Sequence, residues 1–193
     1  MADPTIRAGD RPTGRPAIRA AVRATAHATV RATVRATVRA TTADDIDAVT
    51  AVLVASWGGT VVVAHGTVYD AATLPGFLAE DGGRAVGLLT YALTGGGLEI
   101  VTVDARERRR GVGSLLLEAA VEEARARGCG RVWLVTTNDN LDALRFYQRR
   151  GLRIVAVRPG AVDASRLVKP EIPQVGAYGI PLRDELELEL PLR

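Results

Sequence analysis

The chain has 193 residues, of which 47% are hydrophobic and 24% are charged. These fractions are close to globular averages and predict one packed domain rather than a wholly disordered chain. The single cysteine, Cys129, excludes an internal disulfide framework, and two histidines are too few for a multi-histidine metal centre. No apolar run reaches the roughly 18 residues of a membrane helix, and no secretory signal pattern follows Met1. We therefore expect a cytoplasmic protein that binds neither a metal nor a membrane.

The N-terminal segment is basic and repetitive. Residues 1–43 contain eight arginines against two aspartates, and from Arg19 the sequence repeats every four residues, as in Arg-Ala-Thr-Val. We expect residues 1–35 to form a low-complexity, disordered tail. The alternatives are an arm that binds nucleic acid or an acidic surface, and a transit peptide. The high pI therefore belongs to this tail. Arginine outnumbers lysine 24 to one along the whole chain, which indicates coding bias rather than a phosphate-binding surface, so we do not expect a nucleic-acid partner.

Residues 36–193 are predicted to form a single domain of strands and helices. The predicted strands lie at about 38–41, 84–93, 98–103, 132–135, 152–157 and 185–190, and the predicted helices at about 46–57, 113–127 and 140–150. Residues 61–63 fit a short strand or a buried turn, and residues 70–80 fit a weak helix. The alternation in residues 185–190 predicts a last strand with one exposed face. Hairpins combined with helical crossovers predict an α/β domain with a mixed sheet.

The segment from Ile100 to Ala120 carries the clearest chemical signal. A hydrophobic strand leads through Arg108-x-x-Gly111-x-Gly113 into a helix. Glycines let backbone N–H groups approach a ligand closely, and a helix N-terminus attracts anions, so the segment is suited to hold a pyrophosphate. Arginine side chains would add positive charge there. The third glycine of a dinucleotide-binding fingerprint is replaced by Leu116, and a plain strand-to-helix turn is the alternative interpretation.

The sequence resembles the GNAT superfamily of acyl-CoA-dependent N-acetyltransferases. The resemblance rests on Val101-Thr102-Val103 followed by the glycine segment, and on a second block, Asn140-x-x-Ala143-x-x-Phe146-Tyr147-x-x-x-Gly151-Leu152. It covers about residues 38–157, and the last strand loosely. It implies an α/β fold with a mixed, mostly antiparallel central sheet flanked by helices. It also implies transfer of an acetyl group from acetyl-CoA to a primary amine by direct attack; an inactive acyl-CoA-binding module is the alternative.

The same resemblance implies where acetyl-CoA binds. The pyrophosphate is expected on the backbone of the glycine segment, and the pantetheine arm along Val101–Val103, where a splay between two strands would expose a ladder edge. The implied acetyl-CoA contacts are Val101, Thr102, Val103, Arg108, Arg109, Arg110, Gly111, Val112, Gly113, Ser114 and Asn140. Asn140 is also suited to cap the following helix. Tyr147 is expected to protonate the departing thiolate or to pack against the sheet, and Phe146 to lie in the core.

Direct attack requires a base, because an ammonium nitrogen has no lone pair. Glu99 is the best candidate, on the same strand face as Val101 and Val103, and a solvated strand glutamate is the alternative. The expected acceptor walls are Trp57, His65, Tyr69 and Tyr178. His65 is either a second candidate base or a loop histidine with no special role. The insertion at about 159–183 is a candidate specificity loop. The acceptor is a small-molecule or peptide amine, and a homodimer is left open.

Overall fold

A computed structural model describes residues 36–105 and 111–193. The predictions for the tail, residues 1–35, and for Arg108, Arg109 and Arg110 concern residues outside this described part. The strands are β1 (Thr37–Ala40), β2 (Val61–Ala64), β3 (Thr67–Asp70), β4 (Gly76–Asp81), β5 (Arg84–Thr94), β6 (Gly97–Ala105), β7 (Arg131–Thr137), β8 (Arg153–Arg158) and β9 (Glu185–Pro191). The helices are α1 (Ile46–Trp57), α2 (Val112–Ala126), α3 (Leu141–Gln148) and α4 (Ala161–Val168). The strands and helices predicted outside residues 60–83 are present, within two residues of the expected bounds.

Within the described residues, seven strands form one sheet in the order β1-β4-β5-β6-β7-β9-β8, and β2 pairs with β3 in a separate hairpin. Neighbours in the large sheet are antiparallel except β6 and β7. Those two strands run parallel because α2 crosses over between them. The mixed, mostly antiparallel sheet flanked by helices that the resemblance implies is confirmed.

Each face of the sheet buries a hydrophobic cluster. On the α2 side, Leu116 and Ala120 of the helix pack with Leu98 of β6, and all three are fully buried. On the α1 side, Leu53 packs with Leu88 of β5, again with no exposed surface. Burying a leucine side chain contributes about 1.5–3 kcal/mol to stability. These contacts fix α2 against the sheet and hold the start of the helix near the end of β6.

The helix predicted at residues 70–80 is wrong. The segment contains the end of β3 and most of β4, and β4 lies between β1 and β5. Phe77 and Ala79 pack in the α2-side cluster, whereas Leu78 packs on the other face, as a strand buried on both sides requires. Gly76 lies so close to β5 that a Cβ there would be 2.4 Å from the Leu89 carbonyl oxygen. Residues 76–81 form a strand because they pair with β1 and β5, which the local sequence does not reveal.

Two further expectations change in the C-terminal part. The insertion at 159–183 contains α4, whose Arg166 donates hydrogen bonds to the carbonyl oxygens of Ile172 and Leu182 and so ties the insertion together. The prediction that the last strand has an exposed face is wrong for the first part of β9, because Glu185 and Glu187 are only 3% and 8% exposed. A polar face of the sheet is therefore covered, and it is next to the candidate site.

Candidate active site

The sheet opens between β6 and β7. Their parallel ladder ends at the pair Ile100–Leu134, although β6 continues to Ala105 and β7 to Thr137. Beyond this pair the edge of β6 that faces β7, including Val101–Val103, has no ladder partner among the described residues. The splay expected from the sequence is present, and the N–H and C=O groups that lack a ladder partner there are able to pair with an extended ligand.

A β-bulge lies at the start of the splay. Thr90 of β5 is opposite Thr102, and the next β5 residue, Tyr91, is opposite Ile100, so Val101 is an extra residue. Because the bulge interrupts the alternation of side chains, Val101 packs in the α1-side cluster and Val103 against the α2-side cluster. The prediction that Glu99, Val101 and Val103 share one face of the strand is therefore wrong for Val103.

The start of α2 is shaped by its two glycines. Gly111 precedes the helix with φ of 84°, a left-handed conformation that other residues rarely adopt. A Cβ on Gly113 would lie 3.2 Å from the Phe146 ring, so any larger residue would push the ring away by a few tenths of an ångström. Val112 between them is buried in the core. The glycine segment therefore places the first turn of α2 directly against α3.

Arg150, which sequence analysis missed, joins the same two elements. Its guanidinium donates to Ser114 Oγ in the first turn of α2, and its Cζ lies 3.7 Å from the centroid of the Phe146 ring. Burial is the main cause that lowers its pKa, followed by repulsion from Arg149. The spacing of four residues from Phe146, one helical turn, is the signal that points to this contact. Phe146, which we expected to lie in the core, is only half-buried and packs against the core from its edge.

Asn140 and Tyr147 lie at the two ends of α3. The Asn140 side chain accepts a hydrogen bond of 3.3 Å from the backbone N–H of Ala143, which confirms its role as the helix N-cap. Tyr147 is 8% exposed and packs in the α2-side cluster, and its hydroxyl makes no hydrogen bond with a residue that the structure describes. Burial raises the Tyr147 pKa well above its usual range, so the hydroxyl stays protonated near neutral pH.

Glu99 is buried, with 1% of its surface exposed, so the alternative of a solvated strand glutamate is wrong. One carboxylate oxygen, Oε1, lies 2.7 Å from His65 Nε2. The other, Oε2, accepts hydrogen bonds from the Tyr69 hydroxyl at 2.8 Å and from Thr94 Oγ1 at 3.4 Å. Burial, together with the hydrogen bond to Glu99, raises the Tyr69 pKa to about 12. The hairpin of β2 and β3 thus closes over a carboxylate on β6.

His65 occupies the turn of that hairpin with φ of 43°, an uncommon conformation for a residue other than glycine. Its backbone N–H donates a 3.0 Å hydrogen bond to Glu185 Oε2, and its ring centroid lies 5.4 Å from that of Trp133. Burial is the main cause that raises the Glu185 pKa. Contacts from β6, β7 and β9 therefore fix this residue, and whether it acts as a base or has no special role stays a prediction.

The polar face continues across β7, β9 and β8. Arg131 bridges Glu187 and Glu189, at 3.3 and 2.9 Å, and its Cζ lies 5.0 Å from the Trp133 ring centroid. Arg158 pairs with Glu187 as well. Arg153 lies opposite Glu189 in the ladder of β8 and β9, so this face carries four glutamates, with Glu99 and Glu185 included, and three arginines.

The other expected acceptor residues lie apart from this cluster. Trp57 ends α1 with 40% of its surface exposed, and its carbonyl oxygen is 3.5 Å from Lys169 Nζ. Tyr178, in the insertion, is 67% exposed with φ of 60°, and its hydroxyl donates a 2.9 Å hydrogen bond to Asp142 in the first turn of α3. Of the four predicted acceptor residues, the structure brings His65 and Tyr69 together with Glu99.

A cleft of about 440 Å³ lies elsewhere, between the start of α1 and the loop that precedes β4. Its lining residues, which include Thr42 and Thr90, contain no ionisable side chain, so it offers no acid or base. In the described part of the chain, no group of three His, Cys, Asp or Glu side chains is placed to hold a metal ion. No described helix is long and apolar enough to cross a membrane.

The sheet splay, the glycine-bounded helix start and the buried tyrosine together define an acetyltransferase fold of the kind implied by the sequence motifs. The sequence model of the Acetyltransferase (GNAT) family matches residues 46–152, more than half of the chain. The chain belongs to the GNAT acetyltransferase family. The matched segment runs from the first residue of α1 to Leu152, just before β8, and so includes both blocks that carry the resemblance.

The chain has a curated relative along most of its length, and solved structures share its fold. The chain is 39% identical to the uncharacterized protein YxbD of Bacillus subtilis (strain 168) over 143 residues, which are 74% of this chain and 90% of YxbD. The fold is similar to that of the IAA acetyltransferase from Bacillus cereus ATCC 14579, with a TM-score of 0.64 and 21% identity over 81% of this chain and 99% of that chain. It is also similar to a GNAT family acetyltransferase from Elizabethkingia anophelis solved with acetyl-CoA bound, with a TM-score of 0.60 and 19% identity over 82% and 99% of the two chains.

Proposed function

We propose that the protein is a cytoplasmic N-acetyltransferase that moves the acetyl group of acetyl-CoA to a primary amine by direct attack. The observation that carries the proposal is the splay beyond the Ile100–Leu134 pair, next to the start of α2. The pantetheine arm would pair with the open edge of Val101–Val103, and the pyrophosphate would bind the backbone at Gly111–Ser114, with Arg108–Arg110 adding charge. Asn140 would contact the pantetheine through its amide N–H₂, since its Oδ1 caps α3.

The ammonium form of the acceptor loses one proton to a base, and the freed nitrogen lone pair attacks the thioester carbonyl carbon. As the C–N bond forms and the C–S bond breaks, Tyr147 gives its hydroxyl proton to the departing thiolate and regains a proton from the new amide nitrogen. Burial keeps the hydroxyl protonated at neutral pH, which supports this role for Tyr147. The base belongs to the cluster around Glu99.

The charge of the polar face supports an amine as the acceptor. Glu99, Glu185, Glu187 and Glu189 line it, with Arg131, Arg153 and Arg158 on the same face. Carboxylates in excess of arginines next to the site favour a protonated amine over an anionic acceptor. A small-molecule amine and a peptide amine both fit this charge, and the insertion at 159–183 is proposed to choose between them. We make no proposal for the tail, and a homodimer stays a prediction.

Calorimetric titration with acetyl-CoA tests the binding part of the proposal. We expect micromolar binding by the wild type and none by Gly113→Glu, whose side chain meets the Phe146 ring and places negative charge beside the phosphates. Gly59→Glu is the matched control, because it adds the same charge where a Cβ meets nothing within 4 Å. Circular dichroism of each variant reports whether it is folded. Failure of the folded wild type to bind acetyl-CoA contradicts the proposal.

Turnover separates the enzyme from a module that only binds acyl-CoA. Release of the CoA thiol is followed with a thiol-reactive dye against a panel of amino acids, polyamines, amino sugars and short peptides. We expect at least one amine to accelerate thiol release above the rate without acceptor. Tight binding of acetyl-CoA without turnover of any amine in the panel would favour a module that binds acyl-CoA but does not catalyse transfer.

A further inference from the structure

Glu99 is poorly placed to take a proton from an acceptor directly. It is 1% exposed, and its two oxygens together are within hydrogen-bonding distance of three side chains, from His65, Tyr69 and Thr94. A carboxylate oxygen that already has these partners would have to break one of those contacts to reach an acceptor. The buried carboxylate is better suited to orient a neighbouring group than to meet the acceptor itself.

His65 is that neighbouring group. Its Nε2 lies 2.7 Å from Glu99 Oε1, and a carboxylate accepts the proton of an N–H group, so the proton of the neutral ring is fixed on Nε2. The lone pair of the other nitrogen, Nδ1, then accepts one long hydrogen bond, of 3.4 Å from Thr67 Oγ1, which an acceptor amine would have to displace. The His65 side chain is 18% exposed against 1% for Glu99, so the histidine is the more accessible of the two groups.

We propose that His65 is the proton acceptor of the transfer reaction and that Glu99 is a positioning residue acting through it, an inference that rests on the proposed function. The acceptor ammonium gives one proton to His65 Nδ1, which forms an imidazolium and leaves a neutral amine with its lone pair. The imidazolium then releases that proton to solvent. Glu99 holds the ring by Nε2 and stabilises the imidazolium charge without being protonated.

The groups around His65 favour this role. The titratable groups that face it are Glu99 on β6, Tyr69 on β3 and Glu185 on β9, with Arg158 on β8 behind Glu185. Trp133 on β7 packs against the ring. The contacts with Glu99 and Trp133 fix the position and the plane of the ring. The left-handed backbone at His65 is held by the same contacts, as expected where a side chain must point in a set direction.

The tautomer of His65 tests the inference without any acceptor. The chain has two histidines, so ¹⁵N-labelled full-length protein carrying His27→Gln leaves His65 as the one imidazole. Long-range ¹H–¹⁵N spectra above the titration of the ring should show a pyrrole-type Nε2 and a pyridine-type Nδ1. Glu99→Gln should weaken this preference, because an amide is able to donate to Nε2 as well as accept from it. A pyrrole-type Nδ1 in the wild-type background would overturn the proposal, since no lone pair would face the acceptor.

Kinetics on any amine that the wild type acetylates gives the second test. We expect His65→Gln to lower kcat/KM by about 100-fold or more and to remove the limb of the pH profile that belongs to the imidazole, while acetyl-CoA binding is kept. If Glu99 itself takes the proton, kcat/KM of His65→Gln stays within about threefold of the wild type, and the limb of the pH profile remains. That result overturns this inference but leaves the proposed function standing. A wild type that acetylates no amine overturns the proposed function, and this inference with it.

Discussion

His65 Nε2 lies 2.7 Å from Glu99 Oε1, and this contact joins the turn of a two-stranded hairpin to a fully covered carboxylate on the central sheet. A buried carboxylate is costly unless it is paired and hydrogen-bonded. The hairpin supplies those partners through His65 and Tyr69, so the docking of β2 and β3 and the burial of Glu99 depend on each other. Contacts that stabilise the fold here also orient the groups that we propose for proton transfer.

Tyr69→Phe removes one of the donors to Glu99. We expect a loss of about 1.5–3 kcal/mol in the free energy of unfolding, because a hydrogen bond to a buried charge is lost, and a clear fall in kcat as the carboxylate shifts. Denaturant unfolding and steady-state rates measure the two effects. Tyr91→Phe is the matched control: it removes a 3.0 Å hydrogen bond from a tyrosine to Glu123 on α2, in the cluster on the α2 side of the sheet. Equal effects of both variants on kcat would contradict a special role for the Tyr69 contact.

Tyr147→Phe tests the proposed proton donor. The hydroxyl has no hydrogen-bond partner in the described part of the structure, so its removal should leave the melting temperature unchanged or slightly higher. We expect kcat to fall by about 100-fold or more, with an unchanged Kd for acetyl-CoA. Because burial raises the Tyr147 pKa above its usual range, the wild-type profile should show no limb from this tyrosine between pH 6 and about 9. Unchanged kcat in the folded variant would exclude the proton-donor role.

Arg150→Gln tests the contact between α3 and the start of α2. The variant loses the hydrogen bonds to Ser114 and the stacking on Phe146, so we expect weaker acetyl-CoA binding, by about three- to tenfold, with kcat at saturation nearly unchanged. Arg149→Gln makes the same change of charge at the adjacent, exposed position. Calorimetry on both variants separates the contact from the charge, since a pure charge effect weakens binding equally in the two.

Sequence analysis found those features that depend on neighbours along the chain. Hydrophobic spacing predicted α1, α2 and most strands, and the glycine segment together with Tyr147 came from two compact motifs. The features that it missed depend on pairing between distant segments. The bulge at Val101 is a matter of register with β5, and the contact of His65 with Glu99 joins residues 34 positions apart. The burial of Glu187 likewise depends on Arg131 and Arg158 from two other strands, so its alternating pattern alone predicted an exposed face.

Glu185→Gln should stabilise the protein near neutral pH. Burial raises the Glu185 pKa, so the folded state binds this proton more tightly than the unfolded chain does, and the free energy of unfolding falls as pH rises from the ordinary glutamate pKa through the raised value. A glutamine has no charge to bury and still accepts from the His65 backbone N–H.

The measurement is thermal unfolding of wild type and Glu185→Gln between pH 4 and about 8, a window that spans the ordinary glutamate pKa and the range above it. We expect the melting temperature of the variant to rise relative to wild type as the pH increases. Glu189→Gln is the control on the same strand, because its carboxylate is paired with Arg131 and its removal should bring no such gain. A difference between Glu185→Gln and wild type that stays constant across the range would show that burial of this charge has no cost for folding.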